Sequence, residues 1–171
     1  MNQERENQET SLYRYYLYAV LMKENLNKEN PEEFVKSLNS HHSSTYLILS
    51  SPVGVYMTYF YSALYVVAEG WKVLKIEDER INKLLESSNL DNLKRFRNGT
   101  FHFQKSFLSP KLFVFLKEPD SEKWIKQLYK EFGRFFSDSS PDIPSEIMEQ
   151  LKKTDSKGRA QIIQNYFFEK K

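Results

Sequence analysis

Between Pro52 and Leu74 the side chains Val53, Tyr56, Phe60, Leu64, Val67, Trp71 and Leu74 recur at intervals of three and four residues. That is the period of an α-helix, and a stripe of this length runs along one face for about six turns. A helix that carries so long an apolar face must be covered by other elements, so it sets the architecture of the chain. Its start is marked as well: Ser51 is a good N-cap and Pro52 suits the first helical position, where no amide is needed.

The rest of the sequence offers helices to cover it. Leu12, Tyr16, Ala19, Met22 and Leu26 repeat at the same period and predict a first long helix. Asn30-Pro31-Glu32-Glu33 reads as a cap, a first-turn proline and first-turn acids, opening a short helix towards Leu38. Residues 37–51 read as a loop because of their serines, Asn39 and His41-His42, although Thr45-Tyr46-Leu47-Ile48-Leu49 is apolar enough to pack down. Asp78 opens a short helix through Ile81, Leu84 and Leu85, and Asn89 or Asp91 caps the next, which carries Leu93, Phe96, Thr100 and Phe103. Pro110 restarts the chain towards Leu116, and Ser121 caps a helix bearing Trp124, Ile125, Leu128, Phe132 and Phe135.

No useful strand alternation and no repeat interrupts this pattern. The expected fold class is all-α, an up-and-down antiparallel helical bundle, since short connections place sequential helices side by side. We divide the 171 residues into a flexible, polar lead-in (1–10), the bundle (11–136), and a linker with a C-terminal helical arm (137–171), whose weaker helical stretches lie near 147–151 and 160–168.

Composition narrows the chemistry. There is no cysteine, which excludes disulfides, thiolate nucleophiles and cysteine-type zinc sites and fits a reducing, cytoplasmic setting. The uncharged run at 52–68 contains several tyrosines and is shorter than the ~20 residues of a membrane span, so no membrane partner is expected. A net charge of +2 is too small to mark the whole chain as a nucleic-acid binder. Its distribution is uneven, however. Residues 92–117 contain Lys94, Arg95, Arg97, Lys105, Lys111 and Lys117 without one Asp or Glu, interleaved with phenylalanines. Cations meet phosphates, and exposed rings stack on bases.

Within that segment Arg97-Asn98-Gly99-Thr100-Phe101-His102 joins a permanent cation to an imidazole, a side chain that moves protons near neutral pH. The pair suits phosphodiester chemistry, in which a proton is transferred while charge builds on phosphate oxygens. Five residues along a straight helix turn a side chain by about 140°, so Arg97 and His102 point apart while Asn98 and His102 share a face. Convergence then needs the long arginine stem, a bend at Gly99, or a second copy across a two-fold axis, the last being preferred. The plain alternative is a histidine that caps a helix or bonds within a surface loop.

An arginine, a polar residue and a histidine after a four-residue spacer, late in a helical bundle, resemble the signature of the HEPN superfamily. The resemblance covers the bundle in organisation and this block in specific residues; the tail after Ser137 has no counterpart in the family pattern. It implies an all-helical, HEPN-like homodimer that acts as a metal-independent endoribonuclease, with two copies of the motif lining one composite site. It implies no cofactor and no metal. Carried onto this chain, His102 would be the general acid and base for attack by a ribose 2′-hydroxyl, Arg97 would stabilise phosphorane charge, and Asn98 would orient phosphate or imidazole. Many such proteins are toxins or defence effectors, which adds an antitoxin protein to the expected partners; others keep the fold as silent binding modules.

Other residues extend the candidate site. Lys94 and Arg95 lie beside the motif and Lys105 just after it, placed to hold an RNA backbone or to form a solvated basic turn. Glu69, near the end of the central helix, is a secondary candidate that could hold Arg97 or His102; a solvated helix end or an intrahelical ion pair is the ordinary reading. His41-His42 lack a third ligand nearby and read as loop histidines. The tyrosines at 13, 15, 16, 18, 56, 59, 61 and 65 read chiefly as packing, with any exposed remainder suited to an interface or to base stacking.

Overall fold

The central stripe does what its spacing requires. In a computed structural model that describes residues 3–38 and 44–138, helix α4 (Pro52–Leu74) buries Val53, Phe60, Leu64, Tyr65, Val67 and Trp71. Ser51 caps it by accepting a hydrogen bond from Gly54 N at 3.2 Å, and Pro52 begins it. Its opposite face is open: Val55, Tyr59 and Val73 are exposed, so the helix is buried on one side only.

Seven further helices are described, and no strand: α1 (Gln3–Lys28), α2 (Pro31–Leu38), α3 (Ser44–Ser50), α5 (Glu79–Leu85), α6 (Asn89–Phe101), α7 (Pro110–Lys117) and α8 (Ser121–Asp138). The protein is all-helical among the described residues. The N-terminal residues read as a flexible lead-in are helical from Gln3, with Arg5 and Glu9 paired one turn apart at 3.1 Å. The stretch read as a loop holds α3, because Thr45-Tyr46-Leu47-Ile48-Leu49 has an uninterrupted apolar run between polar ends. Gly54 makes the α3 to α4 corner fit: a Cβ there would strike the carbonyl of Ile48 and the Cα of Leu49, both backbone. His41, His42 and the arm after residue 138 lie outside the described residues.

The core forms where α4 meets its neighbours. Leu12 of α1 abuts Gly70, and Lys23, further along α1, sits over the Phe60 ring, so α1 and α4 run in opposite directions. Helix α8 lays Tyr129 edge-on against Phe60 and packs Phe132 and Phe135 around Trp71, while Tyr13 and Tyr16 of α1 meet Phe136. Polar tips inside this aromatic layer are satisfied: Trp71 donates to Asn82 Oδ1 at 2.9 Å and Trp124 to the Leu84 carbonyl at 3.0 Å. Phe132 is fully buried, so Phe132→Ala should lower stability by about 3–5 kcal/mol in a denaturant titration.

Asp78 locks α5 to α8. Its Oδ1 accepts from the amides of Arg80 and Ile81, which caps α5, and its Oδ2 meets Arg134 of α8 at 2.7 Å. Burial alone would raise this carboxyl; the Arg134 hydrogen bond and the two amides outweigh it and hold the group below the usual aspartate range. A depressed folded-state value means that the contribution is present above the unfolded-state value and disappears as pH falls through the folded one. Acid titration of the wild type should therefore show stability falling below about pH 4, with a shallower slope in Asp78→Asn.

Candidate functional site

The motif occupies the seam between α4 and α6 and then leaves it. Phe96 is buried on the core side of α6, and Arg97 and Asn98 follow at the half-buried margin. Arg97 Nη2 donates to both oxygens of Glu69 on α4, at 3.0 and 2.9 Å, and Nη1 donates to Asn98 Oδ1 at 3.0 Å. The guanidinium carbon also stands 4.9 Å from the centre of the Tyr65 ring, and the Tyr65 hydroxyl donates to Glu69 at 3.3 Å. Burial pushes the Tyr65 phenol up, and the Glu69 charge adds to that, so the hydroxyl keeps its proton and serves as a donor. Arginine is suited to such a place because its planar fork engages a carboxylate with two bonds while its face lies on a ring.

Glu69 thus holds Arg97 across two helices, where the ordinary reading was a solvated helix end or an intrahelical pair. One turn further along the seam, Ser62 donates to Thr100 Oγ1 at 3.0 Å, and Thr100 donates on to the Phe96 carbonyl. Ser62 is completely buried, so this bond satisfies a hydroxyl that the apolar interface would otherwise strand.

Gly99 does not bend α6; it stays helical and lets α7 approach. A Cβ at this position would stand 3.1 Å from both Lys111 Cβ and Leu112 Cδ2. Nor do Asn89 and Asp91 cap the helix: Asn89 is its first residue and Ser87 Oγ accepts from the Asn89 amide.

His102 corrects the helical placement most directly. It lies beyond the end of α6, on extended backbone (φ −110°, ψ 137°), with its amide still bonded to the Asn98 carbonyl at 3.2 Å. The 140° separation expected on a straight helix therefore does not apply, and the imidazole is exposed at the helix end. Its position is set by Gln104. The side-chain amide of Gln104 donates to the carbonyls of Asn98 and His102, and its oxygen accepts from Ser109 Oγ at 3.1 Å. Ser109 in turn accepts from the amide of Lys111 and caps α7. One neutral side chain thus ties the end of α6, the histidine and the start of α7.

Lys94, Arg95 and Lys105 are exposed on the same segment. Sequence reasoning missed Tyr65, Ser62 and Gln104. The four-residue spacing of Tyr65 and Glu69 was a readable signal for the first, whereas nothing local marks Gln104. A surface depression of about 730 Å³ between Trp71, Lys75, Asn82 and Asp91 lies apart from the motif, and none of Arg97, Asn98 or His102 lines it. Among the described residues no three His, Asp or Glu side chains gather as metal ligands, and no helix is long and apolar enough to cross a membrane. Set against known protein families, curated proteins and solved structures, the chain matches none.

Gln104→Ala removes three hydrogen bonds at the margin of the fold. We expect amide hydrogen exchange to accelerate across residues 102–109, with a loss of about 1–3 kcal/mol in global stability, while the Arg97 to Glu69 contact persists.

Proposed function

We propose that this chain is an up-and-down HEPN-type bundle that works as a homodimeric, metal-independent endoribonuclease, with Arg97, Asn98 and His102 as its site and Glu69 in support. One observation carries the reading: a single helix end holds Arg97 and Asn98 in fixed hydrogen bonds and delivers His102 to solvent, inside a basic run free of carboxylates from residue 92 to 117. The imidazole takes the proton of a ribose 2′-hydroxyl; the 2′-oxygen bonds to phosphorus, the bond from phosphorus to the 5′-oxygen breaks, and an imidazolium returns a proton to that oxygen. Two copies of His102 lining one cleft would divide the base and acid steps. Arg97 Nη1 carries a second N–H beyond the one given to Asn98, suited to an equatorial phosphate oxygen. The products are a 2′,3′-cyclic phosphate and a 5′-hydroxyl. A toxin or defence role, with an antitoxin partner, belongs to the same proposal.

A second reading has its own support, because Glu69 already engages Arg97 Nη2 with two bonds. In a silent module that pair would hold α4 to α6 and the exposed surface would bind a partner. Labelled RNA incubated with purified protein in chelator separates the two. The nuclease gives cyclic-phosphate ends, and His102→Ala slows their appearance by about a hundredfold or more. RNA left intact over a range of substrates, with Arg97→Ala and Glu69→Ala lowering the melting temperature alike, would establish the silent module.

A further inference from the structure

The segment that carries His102 exposes rings that the core does not bury. Phe103 is 94% exposed, the most open large apolar side chain among the described residues. Phe101 is half exposed and meets Tyr59 of α4 edge-on, with ring centres 5.8 Å apart. Phe107 is half exposed and lies flat on Tyr46 of α3, with centres 4.7 Å apart and planes within 2°. The Phe103 ring costs solvation free energy in the free chain and returns little packing for it. Nor is its backbone slack: Gln104 fixes the carbonyl of His102 on one side and Ser109 on the other, so Phe103 is held outward from a tethered segment.

Charge decides between occupants. The same stretch of chain carries Lys94, Arg95, Lys105 and Lys111, all exposed, and residues 92–117 contain no acid. The centre of a protein interface is depleted in lysine, whereas alternating rings and cations suit a strand whose bases stack while its phosphates pair with ammonium and guanidinium groups. We infer that Phe103 forms a platform for unpaired bases next to His102, so that the ligand is single-stranded rather than duplex RNA. A duplex keeps its base faces stacked internally and offers this ring nothing. The inference rests on the reading above that the ligand is RNA, and adds which form of RNA the surface takes and which ring selects it.

Binding is measured by fluorescence anisotropy on 2′-O-methyl oligonucleotides, which lack the nucleophile, at fixed salt and with the intact chain. Wild type should bind an unstructured strand and hold a hairpin of equal charge at least about tenfold more weakly. Phe103→Ser should weaken the unstructured strand by about tenfold and leave the hairpin unchanged, while Phe103→Tyr keeps both. Because the ring is almost wholly exposed, an unchanged melting temperature should accompany both variants. Equal affinity of wild type and Phe103→Ser overturns the platform, as does an effect of the substitution seen only in sedimentation of the protein alone or in binding to anionic vesicles. Cleavage of unmodified RNA by wild type is scored in parallel. Cleaved RNA with no Phe103 dependence defeats the platform alone, and intact RNA with Phe103-dependent binding defeats the nuclease alone.

Discussion

Helix α6 lies against α4 along a seam in which buried rings alternate with polar bonds. Tyr61 meets Phe96 edge-on, Ser62 bonds Thr100, and Glu69 grips Arg97. The apolar contacts supply attraction without direction; the two polar bonds set register, because sliding α6 by one turn would strand a buried hydroxyl and separate a carboxylate from its guanidinium. Everything the site contains depends on that register. It aims Arg97 at Glu69, places Gly99 where α7 needs a position without a Cβ, and ends the helix at the residue before His102.

Much of this was legible in the chain. The stripe from Val53 to Trp71, the caps at Ser51 and Asp78 and the prolines at 52 and 110 marked helices that the structure contains, since each rests on local period or local capping chemistry. What escaped was non-local. Glu69 was readable as a secondary candidate for holding Arg97 or His102, but the pair spans 28 residues and nothing local chose it over a solvated helix end; the exit of His102 from the helix is fixed by Gln104 and Ser109, whose identities say nothing until α7 has folded back. α3 escaped for the opposite reason: five apolar or β-branched residues flanked by serines fit a buried loop as well as a short helix, and only the backbone approach at Gly54 separates them.

The site has an electrostatic peculiarity. Arg97 is the cation of the motif, yet Glu69 neutralises it within the same chain, while the flanking cations Lys94, Arg95 and Lys105 are exposed. On the nuclease proposal, a phosphate approaching the seam would meet net positive charge from the margin first and a preorganised, charge-balanced donor second. On that proposal attraction and alignment would be separate: exposed cations would draw the ligand, and a fixed guanidinium would orient it.

Gln104 gives that separation a further meaning. The clamp on Arg97 is partly ionic and its Glu69 half is partly open to solvent, so dissolved salt weakens the Coulomb part of it. The tether on His102 is made of neutral amide bonds, which neither ionic strength nor mild acid alters. The two ends of one six-residue motif are consequently anchored by forces that answer to different variables: raising salt weakens the Coulomb part of the arginine's clamp and leaves the histidine's tether untouched, so one solution condition acts unequally on the two halves of the motif.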